Sequence, residues 1–393
     1  MVTVLMVGTG GYGGYYLNEI LNAERGKSLK LVGAVDPYAA SGKYYEELKA
    51  RNVPIYNTLE EFYAEHTADM AVIATPTYLH AKYSNYCMEH GSDVLCEKPI
   101  SATLEDAASM IDSRDKTGRK LAIGFQWSHC EPILQLKKDV LAGRYGAIKQ
   151  FKTLVFFPRN MEYYRRGSGW AARRSLPSGE MVLDSVASNA TAHYLHNMLF
   201  VTGPEMALSA EPLTMESEIY RANPIEMFDT ATLRIQTKAG TQLLFYVTHA
   251  VPFNQERNPE FVMVGEKGRV ILEQIDGKAV MTGFLNDGTQ VDYGNPAEDS
   301  IKKLYTMAEA VEGKTALPCT PETAVPHLKC IAALAESYPD TPDFDRAYIK
   351  YIEEDKQNVC EGLGEVLLQC YKECKLPYEL GVQWAIKPHV MEF

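Results

Sequence analysis

The sequence has no Cys-x-x-Cys pair, no block of basic residues and no apolar run near the ~18–20 residues of a membrane helix. Each absence excludes a class. The eight cysteines, at 87, 96, 130, 319, 330, 360, 370 and 374, show no disulfide spacing, which points to a reducing compartment. With 39 basic and 51 acidic side chains the formal charge is −12, so neither nucleic acid nor an anionic membrane is the expected partner. Residues 1–14 carry no basic leader, so no signal peptide is expected and the expected location is cytoplasmic. There is no internal repeat and no low-complexity segment. His193-x-x-His196 is no standard zinc pattern, and no metal is expected.

What is there is 393 residues, 46% hydrophobic and 23% charged, enough for two or three domains of roughly 150 residues. Residues 1–126 alternate between two periodicities. Val2–Val7, Leu29–Val35, Met70–Ala74, Val94–Cys96 and Leu121–Phe125 are short apolar runs without helical period, read as buried strands. Helical stretches lie between them. Thr58 with Glu61, and Thr103 with Asp106, have capping-box spacing. Alternation of this kind predicts an α/β domain, a doubly wound parallel sheet covered on both faces. Residues 127–393 differ. Ile148–Phe157, Ala231–Thr237, Gln242–His249, Glu260–Val264 and Arg269–Leu272 read as strands, several separated only by hairpin-length turns. They predict a second, α+β domain on an antiparallel sheet of moderate length, interrupted by one helix over 187–200. Helix is expected again over 301–338, with a Pro-rich break, and over 358–374. Cys370 and Cys374 are spaced to share a metal, but Val359, Leu363, Val366, Leu367 and Cys370 fall on one helical stripe that Cys374 extends, and the thiols read as packed hydrophobes.

Gly8-Thr9-Gly10-Gly11-Tyr12-Gly13 is Gly-x-Gly-x-x-Gly, directly after a strand and before a helix. Gly8 permits the tight turn, Gly10 lets a pyrophosphate approach the backbone, and Gly13 allows close helix–strand packing. The helix N-terminus adds free N–H groups and the positive end of its dipole. Asp36 ends the second strand, 28 residues beyond Gly8, placed to accept from the ribose hydroxyls of an adenosine. A 2′-phosphate there would meet a carboxylate, and no arginine follows, so NAD is favoured over NADP.

Two further motifs close strands: Ala74-Thr75-Pro76-x-x-x-His80 and Glu97-Lys98-Pro99. With the glycine turn, Gly124-Phe125-Gln126, Trp170-x-x-Arg173 and the stretch from Ala310 to Ser337, the chain resembles the Gfo/Idh/MocA family of sugar and cyclitol oxidoreductases. The resemblance implies cofactor contacts from Gly8, Gly10, Gly11, Tyr12, Gly13, Asp36, Thr75, Pro76, His80, Glu97, Lys98 and Gln126. It also implies a cis bond before Pro99 and a lysine, Lys98, between nicotinamide and substrate. The residue's own position agrees: a cation at the carboxyl end of a parallel strand can stabilise negative charge developing on a substrate oxygen.

The family pattern Asp-x-x-x-His fits in two registers. Anchored on Gly179, it gives Asp184 with Ser188 in the histidine position; anchored on Gly203, it gives Asn189 with His193. On a continuous helix Asn189, His193 and His196 share a face, whereas Asp184 and His193 lie about half a turn out of phase. The second register is preferred. His193 is the expected base, Asn189 an orienting group, and Asp184 lines the site if the helix begins after it. Arg165, Arg166, Arg173 and Arg174 surround Trp170 in a loop rich in Gly and Ser, either a solvated loop or one that closes over a polyhydroxylated or anionic substrate; the family's Trp-Arg feature implies Trp170 and Arg173 as the substrate contacts.

The leading expectation is an NAD-dependent dehydrogenase acting on the carbinol carbon of a sugar, sugar derivative or cyclitol. Two alternatives are an NAD-cycling glycosidase or epimerase without net redox, and a dinucleotide-binding sensor without turnover. The resemblance implies that the second domain is α+β on a large, open, mostly antiparallel sheet, and a homodimer or homotetramer through that sheet. Residues 338–393 are expected to pack on the second domain.

Overall fold

The apolar runs of the first 126 residues hide both faces by forming parallel strands between helices. A computed structural model describes residues 1–166 and 169–393 and shows β1 (Val2–Val7), α1 (Gly13–Asn22), β2 (Leu29–Val35), α2 (Tyr45–Ala50), β3 (Ile55–Tyr56), α3 (Leu59–Glu65), β4 (Met70–Ile73), α4 (His80–Glu89), β5 (Asp93–Cys96), α5 (Leu104–Thr117) and β6 (Leu121–Ile123). The sheet order is β3-β2-β1-β4-β5-β6, all parallel. The chain winds one way from β1 to β3 and the other way from β4 to β6. The reversal falls between β1 and β4, where ligands of such sheets bind outside the carboxyl ends. The edge strand β3, two residues long, was too short to give a periodic signal. Thr58 and Glu61 form the expected reciprocal cap of α3; at α5 the Thr103 hydroxyl accepts from the Asp106 N–H.

After α6 (Glu131–Leu141) comes a nine-stranded sheet, built from β7 (Ile148–Phe156), β8 (Pro212–Tyr220), β9 (Thr230–Thr237), β10 (Gln242–Thr248), β11 (Arg257–Gly265), β12 (Gly268–Ile275), β13 (Lys278–Leu285), β14 (Gln290–Gly294) and a last strand near the C-terminus. Between β7 and β8 lie the short α7 (Met161–Tyr164) and α8 (Ala192–Val201). The spatial order is β14-β13-β12-β11-β7-β10-β9-β8 and then the last strand. All neighbours are antiparallel except β7 and β10. The chain then returns as α9 (Lys302–Val311), followed by α10 (Pro321–Ser337), the hairpin β15 (Ile349–Ile352) with β16 (Gln357–Cys360), α11 (Leu363–Glu373) and the last strand β17 (His389–Glu392). The continuous helix expected over 358–374 is a strand followed by a shorter helix: Gly362, at φ 73°, separates them, and Val359 pairs in the hairpin.

Two compact units result: Met1–Cys130 with Asp299–Val325, and Glu131–Glu298 with Pro326–Phe393. The returning segment 299–325, expected in the second domain, packs with the first: Leu304 and Met307 of α9 join Val4, Met6, Tyr16 and Leu17 in one buried cluster. In the second unit α11 and Trp384 pack on one sheet face, over Leu154, Phe156, Leu244 and Tyr246. The C-terminal residues are therefore part of the core. On the same face β11–β13 present Val262, Ile271, Val280 and Phe284 half-buried.

The covered face holds a buried acid. Glu218 accepts from the Tyr220 hydroxyl (2.6 Å) and the Tyr378 N–H (2.9 Å). Burial pushes its carboxyl up to about 7 against those hydrogen bonds. A carboxyl raised in the folded state costs nothing below its unfolded pKa near ~4.3, costs progressively more as pH rises toward the folded value, and costs a constant amount above it. Denaturation of wild type and Glu218→Gln should therefore diverge between about pH 4.5 and pH 8, the variant gaining by on the order of 1–3 kcal/mol. Parallel stability profiles would remove this account of Glu218.

Candidate active site

In the first unit the turn between β1 and α1 is shaped by what its glycines leave empty. Gly8 has φ 88°, and a Cβ on it would lie 2.5 Å from the Ala74 carbonyl oxygen; one on Gly13 would lie 2.1 Å from that of Gly8. A Cβ on Gly10 would meet nothing within 4 Å. Gly8 and Gly13 are thus required by packing, while Gly10 keeps open space where a phosphate can approach. Asp36 secures the turn. Its Oδ2 accepts from the Thr9 N–H (2.8 Å) and hydroxyl (2.7 Å), and its Oδ1 from the Tyr38 N–H (2.8 Å). A carboxylate has roughly four acceptor positions, so one remains for a ribose hydroxyl. The Thr75 hydroxyl, beyond β4, is buried and has no hydrogen-bond partner among the described residues. Open space above Gly10, a spare acceptor on Asp36 and an unsatisfied hydroxyl at Thr75 together fit a dinucleotide.

His80 and Glu97 are satisfied by protein partners. His80 is buried, its ring nitrogens 2.8 Å from the Pro99 carbonyl oxygen and 3.0 Å from that of Thr75. Burial lowers its pKa, against the two carbonyl contacts, which favour the protonated ring. It joins the loop carrying Thr75 and Pro76 to the loop carrying Lys98 and Pro99. The Lys98–Pro99 peptide is cis. Glu97 is buried; it accepts from the Tyr16 hydroxyl (2.5 Å), the Lys303 ammonium and the Lys98 N–H (3.2 Å). Burial would raise its pKa, but the Lys303 charge and the hydrogen bonds from Lys303 and Tyr16 outweigh it and hold the carboxyl below its usual range. Tyr12 donates to Gln126 Oε1 (3.3 Å), and its ring lies 4.3 Å from the Lys303 ammonium. Lys303 was not identified from the sequence. The available signal was a lysine at the i, i+4, i+7 positions of the buried α9 stripe with Met307 and Ala310.

In the second unit the two registers of the family pattern become one cluster. The helix expected over 187–200 is broken: a π turn spans Val186–Ala190, and α8 starts at Ala192. Asn189 lies in the π turn and His193 and His196 in α8, so the three do not share one continuous helix. His196 is buried and stacks on Phe200, whereas His193 is half-buried. Ser188 is buried, its hydroxyl donating to the Leu183 carbonyl (2.6 Å). Asp184 Oδ1 accepts from the Asn189 amide (2.7 Å), and Oδ2 accepts from the Ala172 N–H (2.6 Å) and lies 3.6 Å from the Arg166 guanidinium. Arg166 also packs over Tyr163 and Trp170, at 3.7 Å and 5.0 Å from their ring centroids. Arg173 bonds the Gly169 carbonyl (2.6 Å) and Glu226 (3.2 Å). Gly167 and Ser168 of this loop lie outside the described residues. Ala172 and Leu183, with φ 56° and 51°, occupy the left-handed region on either side of the Asp184 contacts, at a cost of roughly 1–2 kcal/mol each. No group of metal-ligating side chains occurs among the described residues, and no helix there is long and apolar enough to cross a membrane.

The sheet order and glycine turn define a dinucleotide-binding Rossmann unit. Residues 2–125 match the sequence model of the Gfo/Idh/MocA group, described as an oxidoreductase family with an NAD-binding Rossmann fold. Inositol 2-dehydrogenase of Rubrobacter xylanophilus is 24% identical over 285 residues, 72% of this chain and 74% of the relative. The scyllo-inositol 2-dehydrogenase (NADP(+)) IolW of Bacillus subtilis is 23% identical over 321 residues, 74% and 83% of the two chains. The WlbA dehydrogenase of Bordetella pertussis, crystallised with NADH and UDP-GlcNAcA, superposes with a TM-score of 0.68 at 20% identity, over 86% of this chain and 96% of that one.

Removing Asp36 takes away both the spare acceptor and the anchor of Thr9. Asp36→Ala is expected to weaken NAD binding roughly 10- to 100-fold, the size of one or two hydrogen bonds to a charged group, and to narrow the gap to NADP. Calorimetric titration with both cofactors measures this; an unchanged NAD/NADP ratio would remove Asp36 from cofactor selection.

Proposed function

We propose that the protein is an NAD-dependent dehydrogenase transferring hydride between nicotinamide and a carbinol carbon of a sugar, sugar derivative or cyclitol. The observation that carries this reading is the open, anchored glycine turn beside the β1/β4 reversal, with Lys98 following β5 in the same sheet. The names of the inositol dehydrogenases among the relatives support the substrate class. When bound, NAD supplies the hydride acceptor. Lys98 stabilises the negative charge that develops on the substrate oxygen. His193 takes the hydroxyl proton, a role suited to an imidazole near neutral pH. The Asp184 carboxylate engages the Ala172 N–H, the Asn189 amide and Arg166, and through them shapes the substrate side. Asn189 is held by Asp184 and orients the substrate. Trp170 and Arg173 flank the substrate, with Arg166 fixing the Trp170 ring.

The test is a panel of inositols, aldoses and sugar acids assayed with NAD by nicotinamide absorbance. Net NADH formation is expected. Substrate conversion at constant NADH would instead indicate cofactor cycling, and ligand-induced thermal shifts without conversion would indicate a sensor. Lys98→Ala should lower kcat by roughly 10²- to 10³-fold with little change in NAD affinity. His193→Ala should lower kcat by about 10²-fold or more and flatten the neutral limb of the pH–rate profile. Full activity in either variant would refute the role assigned to that residue.

A further inference from the structure

Lys303 belongs to no motif, yet three motifs meet at its ammonium. The side chain is fully buried. Its Nζ pairs with Glu97 Oε1, donates to the Gly124 carbonyl at 3.0 Å, and lies 4.3 Å and 5.5 Å from the ring centroids of Tyr12 and Tyr16. We propose that Lys303 is a positioning residue of the dinucleotide site, acting through Glu97 and Tyr12 to hold the glycine turn and the Lys98 backbone in register. The proposal rests on the reading that this unit binds NAD.

Glu97 uses both oxygens. One takes Lys303 and the Tyr16 hydroxyl; the other accepts the Lys98 N–H and so fixes the backbone from which that side chain leaves. Gly124 is glycine for the same reason, since a Cβ there would stand 2.9 Å from Glu97 Oε1. Tyr12, inside the glycine turn, is held from below by the Lys303 charge and laterally by Gln126. An isolated buried ion pair can often be replaced by apolar residues of similar volume without loss. This one also contacts the glycine turn, the Glu97-Lys98-Pro99 loop and the Gly124-Phe125-Gln126 loop. Lys303 arrives from 206 residues further along the chain than Glu97, so the return of α9 completes the cluster.

The experiment is a fluorescence titration of NADH, with thermal unfolding measured on the same samples, for wild type, the double variant Glu97→Gln with Lys303→Met, and Gly124→Ala. The double variant leaves no bare charge buried and is expected to unfold cooperatively near the wild-type temperature. Its NADH Kd is nonetheless expected to rise at least about tenfold. Gly124→Ala displaces the Glu97 carboxylate while keeping both charges, and a loss of similar size is expected. Wild-type affinity in either folded variant overturns the proposal. If the double variant does not fold, Gly124→Ala decides alone; failure of both to fold assigns the cluster to stability only and overturns it equally. A wild-type protein that binds no NADH overturns the dinucleotide reading beneath it.

Discussion

A carboxylate buried behind the glycine turn can stay ionised only if a cation is buried with it, and the coenzyme face is organised around that requirement. Moving either charge out of water costs several kcal/mol, which the attraction offsets only in close, fully hydrogen-bonded geometry. Glu97 achieves this. Its carboxyl remains below the usual range although burial opposes ionisation, because Lys303 and Tyr16 serve one oxygen and the Lys98 N–H the other. The demand spreads outward. Gly124 gives up its side chain to make room, Tyr12 turns its ring toward the ammonium, and α9 carries a lysine on an otherwise apolar stripe.

The rest of the unit brings the working groups to one edge. Parallel strands end together, and the winding reverses between β1 and β4, so the glycine turn, the Thr75 loop and the Lys98 loop all follow carboxyl ends of neighbouring strands. Each loop is then tied down separately. Asp36 holds Thr9, His80 spans the carbonyls of Thr75 and Pro99, and Glu97 holds the Lys98 N–H. Such anchoring limits the motion of groups whose usefulness depends on distance.

The second unit solves a different problem. Asp184 is engaged by Ala172, Asn189 and Arg166, and two non-glycine residues near it, Ala172 and Leu183, adopt left-handed backbone. A π turn carries Asn189, whose amide donates to Asp184, and interrupts the regular helix ahead of His193. One extra residue per turn is enough to do this, and such turns gather at functional sites.

Much of the fold was legible locally. β1 and β2 matched their apolar runs residue for residue, and the α3 cap was written in Thr58 and Glu61, because period and capping act over a few residues. Strands such as β8 and β13 were not seen, since their mixed sequences become strands only beside β9 and β12. Gly8, Gly13 and Asp36 were likewise readable, their demands being steric and local. Tertiary structure alone decided that Lys303 meets Glu97, that Asp184 and Asn189 form one cluster, and that residues 299–325 return to the first unit. These are pairings between distant segments or departures from regular helix. Their energies arise from mutual burial of charges and amides, which no window of neighbouring residues contains.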